Sequence, residues 1–311
     1  MSKIAAIPIS NRFRQVLFGS LFLAGIAFCP ALGAETRARP DFAPNASVGW
    51  VTLSPQGQFI SPPSGPGPVK GDPLHSGGTN DDFRATGRQP TFPVADLANP
   101  ILQPWVREKL KEHNERVLAG KPAFTRRANC WPMGVPGFLL YPVQPVYFIQ
   151  SPKKVVMVWQ LDHQVRHVYL DVPHSNNPKP SWFGESIGHY EGDTLVVDTI
   201  GIDTRTFVDD FETPHSDKLH VVERFRMIDG GMTLEVNVRV DDSGAFTMPW
   251  NAIQRYRRVE PGKAENPDRV DDGASSSTVA GPLLESTCAE NPVSHFGSEA
   301  QAIPRADKPD F

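Results

Sequence analysis

Residues 182–201 read WFGESIGHYEGDTLVVDTIG, and the fold follows from how this stretch turns. Gly192-Asp193 forms a two-residue loop with glycine first, between runs of alternating residues, as a type II′ β-hairpin requires. In that register Glu191 faces Thr194, Tyr190 faces Leu195, His189 faces Val196 and Ile187 faces Asp198. One face carries Glu185, Ile187, His189, Glu191, Val196 and Asp198. The other carries Ser186, Gly188, Tyr190, Leu195, Val197 and Thr199. His189 and Asp198 are diagonal neighbours, roughly 7 Å apart at the backbone, so their side chains can lean together.

Two more hairpins flank this one. Residues 154–161 and 165–171 turn around Asp162-His163-Gln164. Setting Leu161 against Val165 brings Trp159 opposite His167, Met157 opposite Tyr169 and Val155 opposite Asp171. Residues 220–228 and 233–241 turn at Gly230-Gly231. Met227 then faces Leu234, Phe225 faces Val236, Glu223 faces Val238 and Val221 faces Val240. Arg226 falls opposite Glu235, Arg224 opposite Asn237 and His220 opposite Asp241. A slip of one residue would set the arginines against Val236 and Leu234, so the pattern selects the first register. Glu223 therefore stands in an apolar row.

A short strand at 146–150 precedes these hairpins, and a longer one at 246–259 follows, where Pro249 marks a bulge or an edge. Seven or so consecutive antiparallel strands joined by tight turns must hide their edges. Closing into an up-and-down, calycin- or lipocalin-like barrel does so and leaves room for one small ligand. A two-sheet sandwich is the alternative.

The rest of the chain is less regular. Residues 35–99 form an arm rich in Pro and Gly, with short extended pieces at 50–53 and 58–60. A helix is predicted within 100–120, started by Asn99-Pro100 and stopped by Gly120, with Leu102, Trp105, Val106, Leu110 and Val117 on its apolar side. The β core is predicted over 121–260. The segment 261–311 is of disordered composition, with a docked piece near 283–291.

The chain has 311 residues, 39% of them hydrophobic, which is enough for one sizeable core; its 31 prolines cluster outside that core. A net charge of −4 and a pI near 6.1 provide no basic field for nucleic acid. At the N-terminus Lys3, Arg12 and Arg14 precede an apolar run over 16–28 and the small residues Ala31, Gly33 and Ala34. This is the layout of a cleaved export signal over 1–34, which places the protein in the periplasm or outside the cell with no stable membrane insertion. An uncleaved anchor is the alternative. Cleavage leaves two cysteines, Cys130 and Cys288, either as free thiols or as a disulfide. By the chain-entropy model a bridge closing so long a loop contributes up to about 5 kcal/mol.

The run PSWFGESIGHYEGDTLVVDTIGI at 180–202, with HSDKLHVVERFR at 215–226 and CAEN at 288–291, resembles a group of exported bacterial proteins with a recurring Gly-His-aromatic-Glu-Gly-Asp-Thr-Leu-Val-Val signature. Residues 162–166 and 171–174 also look like that group's pattern. The likeness covers about 130–291. It implies export and pairing of Cys130 with Cys288, and it implies no activity.

Several residues carry candidate chemistry. Glu223, inside an apolar barrel, would have its proton affinity raised by desolvation, as a general acid or base requires. A structural ion pair with Arg166, Arg255 or Arg257 is the plain alternative. His189 with Asp198 would be an oriented base, or else a satisfied cross-strand hydrogen bond. His167 and Tyr169 complete the catalytic candidates. Trp159, Met157, Asp171, Tyr190 and Phe225 are expected to line a pocket for a small hydrophobic or aromatic molecule, with loops 173–180 and 204–216 as its rim. Ser186 lies in Gly184-Glu185-Ser186-Ile187-Gly188, but a nucleophile elbow needs a strand-to-helix turn and this is a hairpin. His163 and His167 would stand about 13 Å apart on a strand, too far to share an ion. A metal held by His167, His189 and His220 from separate strands is a remaining alternative, and no metal or cofactor is assigned. The expected function is therefore cofactor-independent acid–base chemistry of isomerase, lyase or hydrolase type in a barrel cavity. The alternatives are a ligand carrier with the same pocket and a structural envelope-associated protein.

Overall fold

The computed structural model describes residues 39–44, 48–54, 58–75, 93–119, 130–140, 145–160 and 164–259, all within the unit Arg37–Phe311. The signal segment, the tail from 260 onward and Cys288 lie outside the described residues. Nine strands run in chain order around a closed barrel: β1 Gly49–Thr52, β2 Val146–Gln150, β3 Lys154–Trp159, β4 Val165–Leu170, β5 Glu185–Glu191, β6 Thr194–Ile200, β7 His220–Ile228, β8 Thr233–Asp241 and β9 Trp250–Val259. β9 pairs with β1 to close it. The calycin-like barrel expected from the turn pattern is thus the fold, and the sandwich is not.

Both glycine-centred hairpins have the expected register. Glu191 pairs with Thr194 and Ile187 with Asp198 across a turn in which Gly192 has φ 61°, the left-handed region where glycine is at no disadvantage. On β7 and β8, Met227 pairs with Leu234, Glu223 with Val238 and His220 with Asp241. The connection is the single turn of 3-10 helix Asp229–Gly231. Alternation then puts Val221, Glu223 and Phe225 inside with Leu234, Val236, Val238 and Val240, all buried.

Four features differ from expectation. First, β3 and β4 pair with Val158 opposite Val165 and Val156 opposite His167, an offset of three residues from the expected register. Three is odd, so the faces exchange. Arg166, Val168 and Leu170 turn inward, while His167 and Tyr169 turn outward. Second, β4 and β5 are parallel, with Val168 opposite Ser186, so residues 171–184 run back along the barrel and the meander is not wholly antiparallel. Third, the extended piece at 50–53 is barrel strand β1, so the arm supplies the ninth strand. Fourth, the helix α1 spans Pro104–Leu118, with Gln103 as N-cap and Pro104 in its first turn. Proline is tolerated there because it lacks only an N–H that would have no partner. α1 buries Val106, Leu110, Asn114 and Val117, and the Asn114 amide exchanges hydrogen bonds with the backbone of Ala95 at 2.9 and 2.8 Å.

Side chains fill the barrel interior. Phe42 from the arm packs on Phe148 with ring centroids 5.1 Å apart, and its carbonyl accepts the Trp50 indole N–H at 2.8 Å. The 3-10 turn Gly137–Leu140 also enters the core. Its Phe138 carbonyl accepts from Trp159 Nε1 at 2.7 Å, and its Leu139 carbonyl accepts from the Tyr256 hydroxyl at 2.6 Å. Gly188 on β5 is where this packing is closest. A Cβ there would stand 2.9 Å from both Val168 Cγ1 and the Val196 carbonyl oxygen. Gly188→Val is expected to cost about 1–3 kcal/mol by overpacking, read as a lower urea midpoint with unchanged slope. An unchanged midpoint would mean that β4, β5 and β6 do not meet this tightly.

Candidate functional site

Two groups of polar side chains use the β4–β7 wall, one from inside and one from outside. Inside, Arg166 on β4 and Glu223 on β7 are both fully buried. Arg166 Nη1 donates to Glu223 Oε1 at 2.8 Å, and Nη2 donates to Glu223 Oε2 and, at 2.9 Å, to Thr199 Oγ1. Arg166 Nε donates to Ser186 Oγ at 3.2 Å, and the Ser186 and Thr199 hydroxyls meet at 2.9 Å. The Phe138 ring lies 5.9 Å from the guanidinium carbon. The arginine fork thus grips both oxygens of the carboxylate, the strongest geometry available to such a pair. Of the three arginines weighed as partners, Arg166 is the one, and Arg255 instead donates to Glu235 at 2.8 Å. Nearby, burial pushes the Tyr256 phenol well above its ordinary pKa, and the Glu223 charge adds to this.

Outside, β5, β6 and β7 bring Glu185, Asp198 and His220 onto one surface, and the 171–184 connection lays His174 across it. Asp198 Oδ1 accepts from His174 Nε2 and from His220 Nε2, each at 2.9 Å. Glu185 Oε1 accepts from His174 Nδ1 at 2.9 Å and from the Ser175 backbone N–H at 2.7 Å. All four side chains are partly exposed. Burial pushes Asp198 up, but the hydrogen bonds and charges of His220 and His174 outweigh it and hold its pKa below the usual value. The hydrogen bond to Asp198 raises His220, partial burial opposes this, and the Asp198 and Asp241 charges reinforce it. The hydrogen bonds from Ser175 and then from His174 lower Glu185.

Since a carboxylate only accepts, His220 donates through Nε2, and its Nδ1 has no hydrogen-bond partner among the described residues. His174 has a carboxylate at each ring nitrogen. The arrangement offers one oriented imidazole facing water and one held between two anions.

The strand that delivers His220 is steadied by the loop before it. Ser216 donates to Asp242 from its backbone N–H at 2.7 Å and from its hydroxyl. His215 is buried in the same loop between the Ser216 carbonyl at 2.8 Å and Thr206 Oγ1 at 2.9 Å, and desolvation lowers its pKa.

The expected site residues do not converge. His189 is exposed and its Nε2 meets Glu191 at 3.0 Å, so its partner is not Asp198. His167 and Tyr169 are outward neighbours, their rings 6.4 Å apart. Asp171 is exposed beside Arg39 at 3.8 Å, while the Tyr190 hydroxyl accepts from Gln150 at 2.9 Å. Trp159, Met157 and Phe225 are buried in the hydrophobic core cluster. Of the five catalytic candidates, Asp198 alone joins the outer cluster, and Glu223 is held by Arg166. Among the described residues no group of three or more His, Cys, Asp or Glu side chains stands in metal-holding geometry. No helix among them is long and apolar enough to cross a membrane.

The chain matches no family model, no curated protein and no solved structure.

Removing one partner of the buried pair isolates its role. Arg166→Met strands an anion in the core and is expected to cost about 3–5 kcal/mol in urea unfolding. Adding Glu223→Leu should restore most of that loss. A single-variant cost below about 1 kcal/mol would show that the pair is not what holds β4 to β7.

Proposed function

We propose that this is an exported small-molecule enzyme of cofactor-independent acid–base type, whose reacting groups stand on the outer wall of the barrel. The observation that carries this reading is the sharing of one Asp198 oxygen by two imidazoles, one of which is partly exposed and has a ring nitrogen with no hydrogen-bond partner among the described residues. His220 Nδ1 exchanges the proton with substrate, and Asp198 orients the ring and stabilises it when charged. His174, donating to Asp198, holds the carboxylate from the opposite side. Ser175 donates to Glu185, and the pairing of imidazoles with carboxylates favours proton-transfer chemistry such as isomerisation, elimination or water-assisted hydrolysis. Asp198 lies between Ile187 and Val222 in the cross-strand rows, both half-buried, so the substrate is one with an apolar or aromatic portion.

Export and a Cys130–Cys288 bridge, both implied by the resemblance, belong to the same proposal. The bond forms when the two thiols together give two electrons and two protons to a disulfide partner, which is reduced to its dithiol. A second reading, a structural envelope-associated protein, is favoured by the way His174 and Ser175 tie the 171–184 connection to β5 and β6. A carrier holding its ligand inside the barrel finds no such support, because the expected pocket residues are part of the packed core.

The two surviving readings separate in a turnover screen of the full chain. Aryl esters, phosphodiesters, glycosides and enolisable aryl ketones form the panel. The expected result is turnover of at least one class that His220→Gln reduces by about 100-fold or more with an unchanged circular dichroism spectrum. Turnover equal in wild type and His220→Gln, or none with any class, would favour the structural reading.

A further inference from the structure

Arginines on the outward faces of β7, β8 and β9 differ in what meets their charge. Arg224 is paired with Glu191 and Arg255 with Glu235. Arg226 lies opposite that same Glu235 in the β7–β8 register. Arg239 on β8 has no acid across the sheet, because its cross-strand neighbours are Val222 and Asn251. It is exposed, and it makes no hydrogen bond or ion pair among the described residues. Asp241, two residues along the same face, is not paired with it either. A guanidinium keeps its charge at any physiological pH, and its planar fork matches a carboxylate.

The place of Arg239 gives that charge a use. Strand pairing sets Asp198, Val222 and Arg239 in one row across β6, β7 and β8. His220 pairs with Asp241, so it is the diagonal neighbour of Arg239, at roughly 7–8 Å between backbones and within reach of a long side chain. The hydrogen bond to Asp198 dominates the His220 pKa, and the Arg239 charge acts on the ring in the opposite sense. On the β5 side of Asp198 the wall is occupied by His174 and Ser175, which bond to Asp198 and Glu185. On the β8 side, a small molecule resting on half-buried Val222 meets Asp198 and Arg239 across the sheet and His220 along the strand.

Charge also selects the kind of anion. Asp198 and Asp241 flank this surface and oppose a dianion, whereas a planar monoanion fits the fork of one guanidinium. We infer that Arg239 is a substrate-binding residue that holds the carboxylate of an apolar acid over Val222, with the reacting part of the molecule at His220. This names the substrate class for the outer site and rests on the acid–base reading of His220. Arg239 itself exchanges no proton.

Binding to the full chain at neutral pH, followed through the imidazole nitrogen resonances of His220, tests the subsite apart from turnover. The probes are 2-naphthoate, the neutral 2-naphthamide and 2-naphthyl phosphate. Naphthoate is expected to shift those resonances saturably and to bind about 10-fold more tightly than the amide. Arg239→Gln should remove that advantage, and Arg226→Gln, on the same face, should leave it. Equal affinity for naphthoate and amide, an advantage that survives Arg239→Gln or is lost equally in Arg226→Gln, no saturable shift, or tighter binding of the phosphate would each overturn the subsite. Failure of the acid–base reading looks different. Naphthoate held through Arg239 without any His220-dependent turnover removes that reading and leaves a carboxylate-binding site. Turnover that needs His220 but prefers neither acid nor amide removes the subsite alone.

Discussion

The buried pairing of Arg166 with Glu223 is the constraint on which the arrangement of the sheet depends. An ionised carboxylate inside an apolar barrel is costly unless an opposite charge and further hydrogen bonds meet it. Arg166 meets both carboxylate oxygens, and the Ser186 and Thr199 hydroxyls occupy its other donors. Four strands, β4 to β7, thereby contribute to one polar knot. With Arg166 inward, Val168 and Leu170 also point inward and His167 and Tyr169 point out, so one interior contact sets which face of β4 meets water. The same knot engages both Glu223 oxygens with Arg166, and the side chain is fully buried.

A second polar cluster stands on the outside of the same strands, partly exposed to water. Asp198 is on β6 immediately next to inward-facing Val197 and Thr199, so the strands that fix the knot also position the outer carboxylate. The parallel β4–β5 step forces a long return connection, and that connection carries His174 over the wall. Between β6 and β7 a second long connection, ordered by the Ser216–Asp242 contacts, delivers His220. The two histidines reach one oxygen because of these two crossings.

Legibility in the sequence followed turn length. The β5–β6 and β7–β8 registers were readable because a glycine-centred turn and the in–out alternation agree, and each leaves one solution. The β3–β4 register was not, because residues 154–159 are apolar on both faces and alternation there carries no direction. The parallel pairing of β4 with β5 has no local signature at all, and β1 is four residues inside a Pro-rich arm. α1 starts four residues later than expected because Pro100 and Pro104 are equally good starts. Glu223 as an interior carboxylate and Arg166 as one of its partners were both readable. His220 was readable as the cross-strand neighbour of Asp241 and as one member of a possible His167–His189–His220 metal set; its bond to Asp198 runs across strands joined by residues 201–219. His174 lay in the 171–174 stretch that looks like the exported group's pattern, but a histidine in a loop of prolines and asparagines has no periodicity to show what it bonds.

The central claim is that Asp198 governs a titratable imidazole at His220 on the barrel's outer wall. Heteronuclear NMR of the imidazole ring nitrogens through a pH titration, in wild type and in Asp198→Asn, measures this directly. The account predicts a His220 midpoint above the ordinary imidazole value of about 6.5, falling when Asp198 becomes uncharged, because the hydrogen bond and charge of Asp198 hold the proton on the ring. A His220 midpoint at or below that value, unmoved by Asp198→Asn, would contradict it.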